Sequence, residues 1–289
     1  MKLKYILGAG LGLMVVGGLM AGLSYVSGAQ TSLTWEGGPR IIEMSRETKD
    51  FSSENIEKIV VRADHQNIVI QRGVNFGVEA SYDKTQKPKI NLEDKTLDIS
   101  ADGQTPAAMI NVTDTRSMLK ITIPRGVTLK ELVVEGRNNE LLLDEFSSKK
   151  INLNTANTWT SINEVTGEAL TAESQMGSIN LNELSMKQVK LEVSDGSIYF
   201  NDNESAIKGE VILQNSSIDF YDNEDQGLAV ILDGDSYITK NYEPLTTKTY
   251  TYNRGNKELK VTGHNSQVNL TNEDYEEPPM DDEDYGEYD

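Results

Sequence analysis

The chain has no cysteine. That excludes disulfides, thiolate metal sites, a cysteine nucleophile and the lipid-modified cysteine that anchors a bacterial lipoprotein. Histidine is nearly as scarce, with His65 and His264 the two in 289 residues, so the usual general base and zinc ligand is almost missing. Basic residues are outnumbered, 27 Lys and Arg against 46 Asp and Glu, for a formal charge of −19. Nucleic-acid binding needs the opposite balance, because phosphates are neutralised by Lys and Arg. Aromatics make up 7% of a chain that is 37% hydrophobic, which suits the thin aliphatic core of a repeat protein.

What the chain does have begins at its N-terminus. Lys2 and Lys4 precede an apolar run from Tyr5 to about Val26, with the first acid at Glu36. At about 1.5 Å per residue, some 20 helical residues cross a hydrocarbon core of about 30 Å. The run exceeds the roughly 7–15 apolar residues of a cleavable signal. It therefore reads as a single-pass transmembrane anchor over residues 1–29, with the N-terminus in the cytoplasm and the body outside. The alternative is a signal peptide cut near Ala29 in Ser27-Gly28-Ala29, which secretes the body. Gly8-x-x-x-Gly12 and Gly18-x-x-x-Gly22 match the pattern for close helix approach, but glycine-rich runs produce such matches readily.

The strongest signal is internal periodicity. Two apolar residues separated by one, a gap of six, then a second such pair recur down the chain. Examples are Leu132-x-Val134 with Leu141-x-Leu143, Leu170-x-Ala172 with Ile179-x-Leu181, and Val189-x-Leu191 with Ile198-x-Phe200. Unit openings fall at Leu132, Ile151, Leu170, Val189, Gly209 and Leu228, steps of 19, 19, 19, 20 and 19. Ile59 and Leu259 open similar units outside that run. Alternation with period two makes each pair a short strand with one buried face. Six residues after each opening stand His65, Asn138, Asn157, Met176, Asp195, Asn215, Gly234 and Asn265; the next position holds Gln66, Asn139, Thr158, Gly177, Gly196, Ser216, Asp235 and Ser266. Asn, Asp and Gly tolerate left-handed backbone, so these are turn columns. A meander of hairpins and a stack of coils both fit. Constant period favours stacking, since only a stacked unit must register on its predecessor. The expected fold is all-β, a β-solenoid (β-helix-like) with about 19-residue coils after one N-terminal transmembrane helix. Its core column is Val134, Leu153, Ala172, Leu191, Val211 and Val230.

Residues 30–54 read as a linker and 55–271 as the solenoid. Within it, 73–125 alternates more loosely, as hairpins that continue or cover the N-terminal end. Residues 241–257 break the period as an excursion or hairpin. Residues 272–289 form an acidic tail; from Glu273 to Asp289 there are ten acids and no Lys or Arg, a composition that predicts disorder. The tail reads as a solvating segment, or as a weak contact for divalent cations or cationic peptides.

The run Leu119-Lys-Ile-Thr-Ile-Pro124-Arg-Gly126, then Leu129-x-x-Leu132-x-Val134, then Gly177-Ser178-Ile179 and Gly196-Ser197-Ile198, resembles a bacterial family of unknown function called β-strand-repeat "putative adhesins". The resemblance spans roughly residues 55 to 270 and implies a β-helix-like body. It also implies a preceding membrane segment and, in some relatives, a link to cell-envelope stress systems. It carries over no catalytic residues. Thr160-Ser161-Ile162 and Ser236-Tyr237-Ile238 depart from its Gly-Ser-Ile pattern.

Chemistry is thinly represented. Asp195 and Asp235 are the acids of the turn columns and the one pair that suits glycoside acid/base work. Asp222-Asn223-Glu224-Asp225-Gln226-Gly227 and Asn201-Asp202-Asn203-Glu204 cluster oxygens, but Gln226 and the flanking strands fail the EF-hand pattern. No catalytic, cofactor or metal residue is therefore assigned, and no cofactor is expected. The sequence reads as a non-enzymatic, membrane-anchored extracytoplasmic interaction or scaffold protein of the cell envelope. Tyr199, Asp219 and their neighbours form its expected binding face, toward an envelope-protein or cell-wall partner. The competing readings are a regulator of a membrane sensor acting through the N-terminal helix, and a β-helical glycan-active enzyme.

Overall fold

The computed structural model describes residues 10, 12–20, 22, 33–35, 39–103, 109–110, 116–201, 207–222, 226–252 and 258–272. Its body is a stack of two-strand coils. The first strand of each coil lies in an eleven-stranded sheet and the second in a twelve-stranded sheet. In chain order the coils are coil 1 (Lys58–Asp64, Asn67–Gly73), coil 2 (Thr96–Asp102, Met118–Pro124), coil 3 (Thr128–Arg137, Glu140–Asp144) and coil 4 (Ser147–Ala156, Trp159–Asn163). Coil 5 (Thr166–Gln175, Ser178–Asn182), coil 6 (Ser185–Ser194, Ser197–Asn201) and coil 7 (Gly209–Gln214, Ser217–Asp222) follow. Coil 8 (Gly227–Asp233, Tyr237–Lys240) and coil 9 (Glu258–His264, Gln267–Asn272) complete the set.

Coil-to-coil pairing is parallel, so equivalent residues lie side by side. Leu132, Ile151, Leu170 and Val189 are successive register partners. Their side chains and those of Ile198, Phe200 and Leu181 are buried between the sheets. Phe200 and Phe220 stack across two coils at 5.1 Å. The 19-residue period is thus a stacking period.

The order of coils through the stack is not the order of the chain. It runs 2-1-3-4-5-6-7-9-8. Val211 pairs with Val261, and Val261 pairs in turn with Val230, so the core column expected to pass from Val211 directly to Val230 is corrected. At the other end Val134 rests on Val61, and Val61 on Ile99. The physical reason is that every coil presents the same aliphatic alternation, so pattern alone cannot say which coil is next to which.

Both ends are closed by antiparallel strands, which keep open strand edges away from other chains. Gly77–Asp83 and Lys89–Glu93 cover coil 2, and Met44–Asp50 covers Gly77–Asp83. Thr249–Tyr252 and Glu243–Pro244 cover coil 8, as the excursion in 241–257 anticipates. The segment 30–54 is not simply a linker. Met44–Asp50 is a full strand of the twelve-stranded sheet, and Leu33–Trp35 pairs with Pro39–Ile41 and Met109–Ile110 in a separate small sheet.

Turn chemistry follows the sequence column. His65, Asn138, Asn157, Met176, Asp195, Asn215, Gly234 and Asn265 all have positive φ, between 48° and 63°. Each non-glycine N–H in this row bonds a strand-end carbonyl of the next coil, as Asn157 does to Gln175 O at 2.7 Å. One place in the row beyond is corrected. Ser236, not Asp235, aligns with Ser266, whose N–H it accepts at 2.8 Å, because coil 8 carries one extra turn residue. A second left-handed row, Glu145, Glu164 and Glu183, turns the opposite corner.

The expected N-terminal helix falls mostly outside the described residues. Residues 12–20 are helical, and no helix among the described residues is long and apolar enough to cross a membrane. The acidic tail from 273 onward also lies outside them.

Candidate binding face

The two sheets present different outer faces. On the eleven-stranded sheet, outward positions carry charges of both signs. Glu131 faces Lys150, Glu173 lies beside Glu192, and Lys190 lies beside Glu210. Lys190 Nζ sits 2.6 Å from Glu192, whose carboxylate raises the lysine pKa, with smaller help from Glu210 and Glu173.

The outer face of the twelve-stranded sheet, from coil 4 to coil 8, has almost no charge. Its first outward column runs Trp159, Ser178, Ser197, Ser217, Gln267 and Tyr237 through the stack. The second runs Ser161, which is itself buried, then Asn180, Tyr199, Asp219, Asn269 and Thr239; Asp219 is its one ionisable carboxylate. The third begins Asn163, Asn182 and Asn201. In a chain of net charge −19 this is a selective exclusion.

The amides of this face are held in place. Asn182 Nδ2 donates to Asn163 Oδ1 at 2.8 Å, Asn201 Nδ2 to Asn180 Oδ1 at 2.9 Å, and Asn269 Nδ2 to Asp219 Oδ1 at 2.6 Å. Parallel in-register stacking creates these ladders, because short polar side chains on neighbouring coils meet one strand spacing apart, directly at Asn163–Asn182 and Asp219–Asn269 and diagonally at Asn180–Asn201. Side chains fixed in this way have little rotamer entropy left to lose on binding. Four rings stand exposed among them, Trp159 (45%), Tyr199 (40%), Tyr221 (47%) and Tyr237 (47%).

Beside the first column runs a shallow trough along the corner. One half is lined by Asn157, Trp159, Met176 and Ser178, the other by Asn215, Ser217, Asp235 and Tyr237; Asp195, Gly196 and Ser197 belong to both. Gly177 and Gly196 form its waist. A Cβ at Gly196 would collide with the Gly177 carbonyl, so glycine is required where these backbones approach. Elsewhere along the corner, hydroxyls cap backbone donors of the preceding coil. Ser216 Oγ accepts from Gly196 N at 3.2 Å and Ser266 Oγ from Ser216 N at 3.2 Å.

The residues singled out from sequence fall as follows. Tyr199 and Asp219 are direct register partners on the neutral face. Asp195 and Asp235 are separated by coils 7 and 9, three strand spacings or roughly 14 Å, against the ~5–9.5 Å between glycosidase carboxylates. Asp195 instead accepts from Asn215 Nδ2 at 3.1 Å, a turn-ladder bond. His65 lies near Asp64 at 3.6 Å, and His264 Nδ1 is 2.7 Å from Asp233 Oδ1 at the surface. Both oxygen-rich loops fall largely outside the described residues. Gln226, which is described, is buried and bonds Ile207 N and O at 2.6 and 2.9 Å, a structural clamp. Among the described residues no three acids or histidines are placed to hold a metal. What the sequence reading missed is the extent of the neutral face; its signal was the missing charge at alternate positions of each second strand.

Residues 56–235, more than half of the chain, match the Toastrack DUF4097 family. The chain belongs to that family. The recurring Gly-Ser-Ile corners and parallel coils described above form its Toastrack body. No curated protein matches the chain. Among solved structures it is similar to a "putative adhesin" from Parabacteroides distasonis, at 14% identity over 79% of this chain and 97% of that one, with a TM-score of 0.48. It is also similar to a "putative cell adhesion protein" from Clostridium sporogenes, at 10% identity over 80% of this chain and 100% of that one, with a TM-score of 0.40. A third is a "putative lipid binding protein" from Parabacteroides distasonis, at 13% identity over 78% and 96%, with a TM-score of 0.43.

Proposed function

We propose that this Toastrack protein is a non-enzymatic interaction protein of the cell envelope, held at the membrane by its N-terminal segment with the solenoid body outside. The observation that carries the reading is the uncharged outward face of the twelve-stranded sheet between coils 4 and 8. A face that only solvates the protein has no reason to shed charge while the opposite face keeps it. Preformed amide ladders and exposed rings supply what a recognition surface needs, namely polar groups already ordered and apolar area at low entropic cost. The paired lysines before an apolar segment, and the exposed Leu13, Met14, Leu19 and Met20 of its helical part, support the anchor.

Photo-crosslinkers placed one at a time in cells test this. At Asn180 or Asn269 they are expected to give envelope adducts, and at Glu173 or Lys260 on the charged face they are not. Adducts of equal yield from both faces, or none from Asn180, would sink the assignment. Protease added to osmotically opened cells is expected to degrade the body while a cytoplasmic control survives.

A further inference from the structure

Building on the binding-face reading, we infer that the trough between Trp159 and Tyr237 takes an uncharged polysaccharide chain lying along the stack axis. Trp159 and Tyr237 stand in the same outward column with Ser178, Ser197, Ser217 and Gln267 between them. Five strand spacings separate the two rings, roughly 24 Å. Between them the floor is three serines, the smallest hydroxyl-bearing side chains, followed by Gln267 beside Tyr237, so a chain can settle into the trough along the serines rather than ride above it. Its turn side carries Asn157, Asp195, Asn215, Asp235 and Asn265, and the second outward column of the sheet, with Asn180, Tyr199 and Asn269, runs alongside.

Charge decides the occupant. A lipid headgroup or a phosphate polymer would be met by cations, and the trough is lined by no lysine, arginine or histidine. Its acids are Asp195 and Asp235 on the turn side, where Asp195 already accepts from Asn215 at 3.1 Å, and Asp219 on the sheet side is engaged by Asn269 at 2.6 Å. A polyol presents hydroxyls that both donate and accept, which matches amides and serines that do the same. Its pyranose C–H faces are apolar and slightly positive, which matches the negative face of an exposed ring. A repeating ligand also suits a repeating floor, since each strand spacing offers the same groups again.

The test uses the full chain in detergent and polysaccharide extracted from the envelope of the producing cells. The extract is protease-treated and passed over an anion exchanger, so that only uncharged chains remain. Tryptophan emission reports binding, since Trp35 and Trp159 are the only two in the chain. The neutral fraction is expected to quench or shift emission saturably. Trp35→Phe should retain the response, Trp159→Phe should lose it, and Tyr237→Ala should weaken affinity at least tenfold by competition. Ser197→Arg, which fills the floor, should block binding while its thermal midpoint stays near wild type. Binding of the charged fraction alone, or an unaltered response in Ser197→Arg, overturns the inference. Binding to the crude envelope that protease abolishes assigns a protein partner, which overturns the glycan but keeps the binding face. No binding to any fraction, together with absent crosslinks from Asn180, removes both.

Discussion

Val211 and Val230 hold the same core position in consecutive units of the repeat, yet Val261 lies between them in the core, paired to both. The chain passes over one place in the stack, builds coil 8 and its antiparallel cover, and returns to fill the gap with coil 9. Coil 9 is therefore an interior layer made by the last described strands, and the C-terminal end depends on it.

Removing residues 258–289 is expected to detach coil 8 and its cover from the body. Limited proteolysis should then cut first within 227–252, leaving a core that ends near coil 7. Equal protection of 227–252 with and without coil 9 would show that coil 8 stacks on coil 7 unaided. Val261→Asp, which buries an unpaired charge with no exposed route, should cost about 3–5 kcal/mol in chemical denaturation.

Met176 has φ of 52° in a row otherwise made of Asn, Asp, Gly and His. Left-handed backbone costs an ordinary L-residue about 1–2 kcal/mol, and less for Asn. Met176→Asn should therefore raise stability by about 0.5–1 kcal/mol. It would also link the ladder between Asn157 and Asp195. A lower denaturation midpoint would contradict this account of the corner.

At the waist of the trough, Gly196→Ala should lose about 1–3 kcal/mol, because the new methyl meets the Gly177 carbonyl. Ser216→Ala should lose a comparable amount, about 1–3 kcal/mol, by leaving Gly196 N–H without its acceptor. Urea midpoints of both variants, against the exposed control Ser185→Ala, measure this.

How much of this was legible in the residues depends on what each feature is made of. The 19-residue period and the left-handed row were readable because a corner needs particular residue types, and Asn138, Asn157, Asp195 and Asn215 are those types. Coil order was not, because Val211, Val230 and Val261 are interchangeable as core aliphatics and adjacency is set by chain connections. Met44–Asp50 was hidden for the opposite reason. Its sequence, MSRETKD, alternates without aliphatics and gains its place by backbone pairing to Gly77–Asp83 and by Lys49 Nζ bonding Ile90 O at 3.0 Å. Tyr199 and Asp219 marked the candidate face, but its neutrality became visible only once the outward columns were aligned by register.

Glu57 gives a pH signature. Lys130 first and Lys95 second hold its carboxyl well below its ordinary 4.5, to about 2. The folded form therefore gains from the ionised acid above the unfolded value and loses that gain as pH falls from about 4.5 toward 2. The group is exposed, so the effect should be small and shrink in salt. Carboxyl titration by NMR should place Glu57 below the other exposed glutamates, and Lys130→Ala should return it toward them. An ordinary value in the wild type would contradict the pairing.

The layer order is most directly tested by paired cysteines, which the cysteine-free chain allows without background. Adjacent parallel strands lie about 4.8 Å apart, inside the ~4.4–6.8 Å that a disulfide spans between Cα atoms. Ile212→Cys with Thr262→Cys, and Ile231→Cys with Thr262→Cys, should each oxidise to an intramolecular disulfide, since both pairs are register partners. Ile212→Cys with Ile231→Cys should stay reduced, being two spacings apart; its ready oxidation, with the Thr262 pairs failing, would contradict the stack described here.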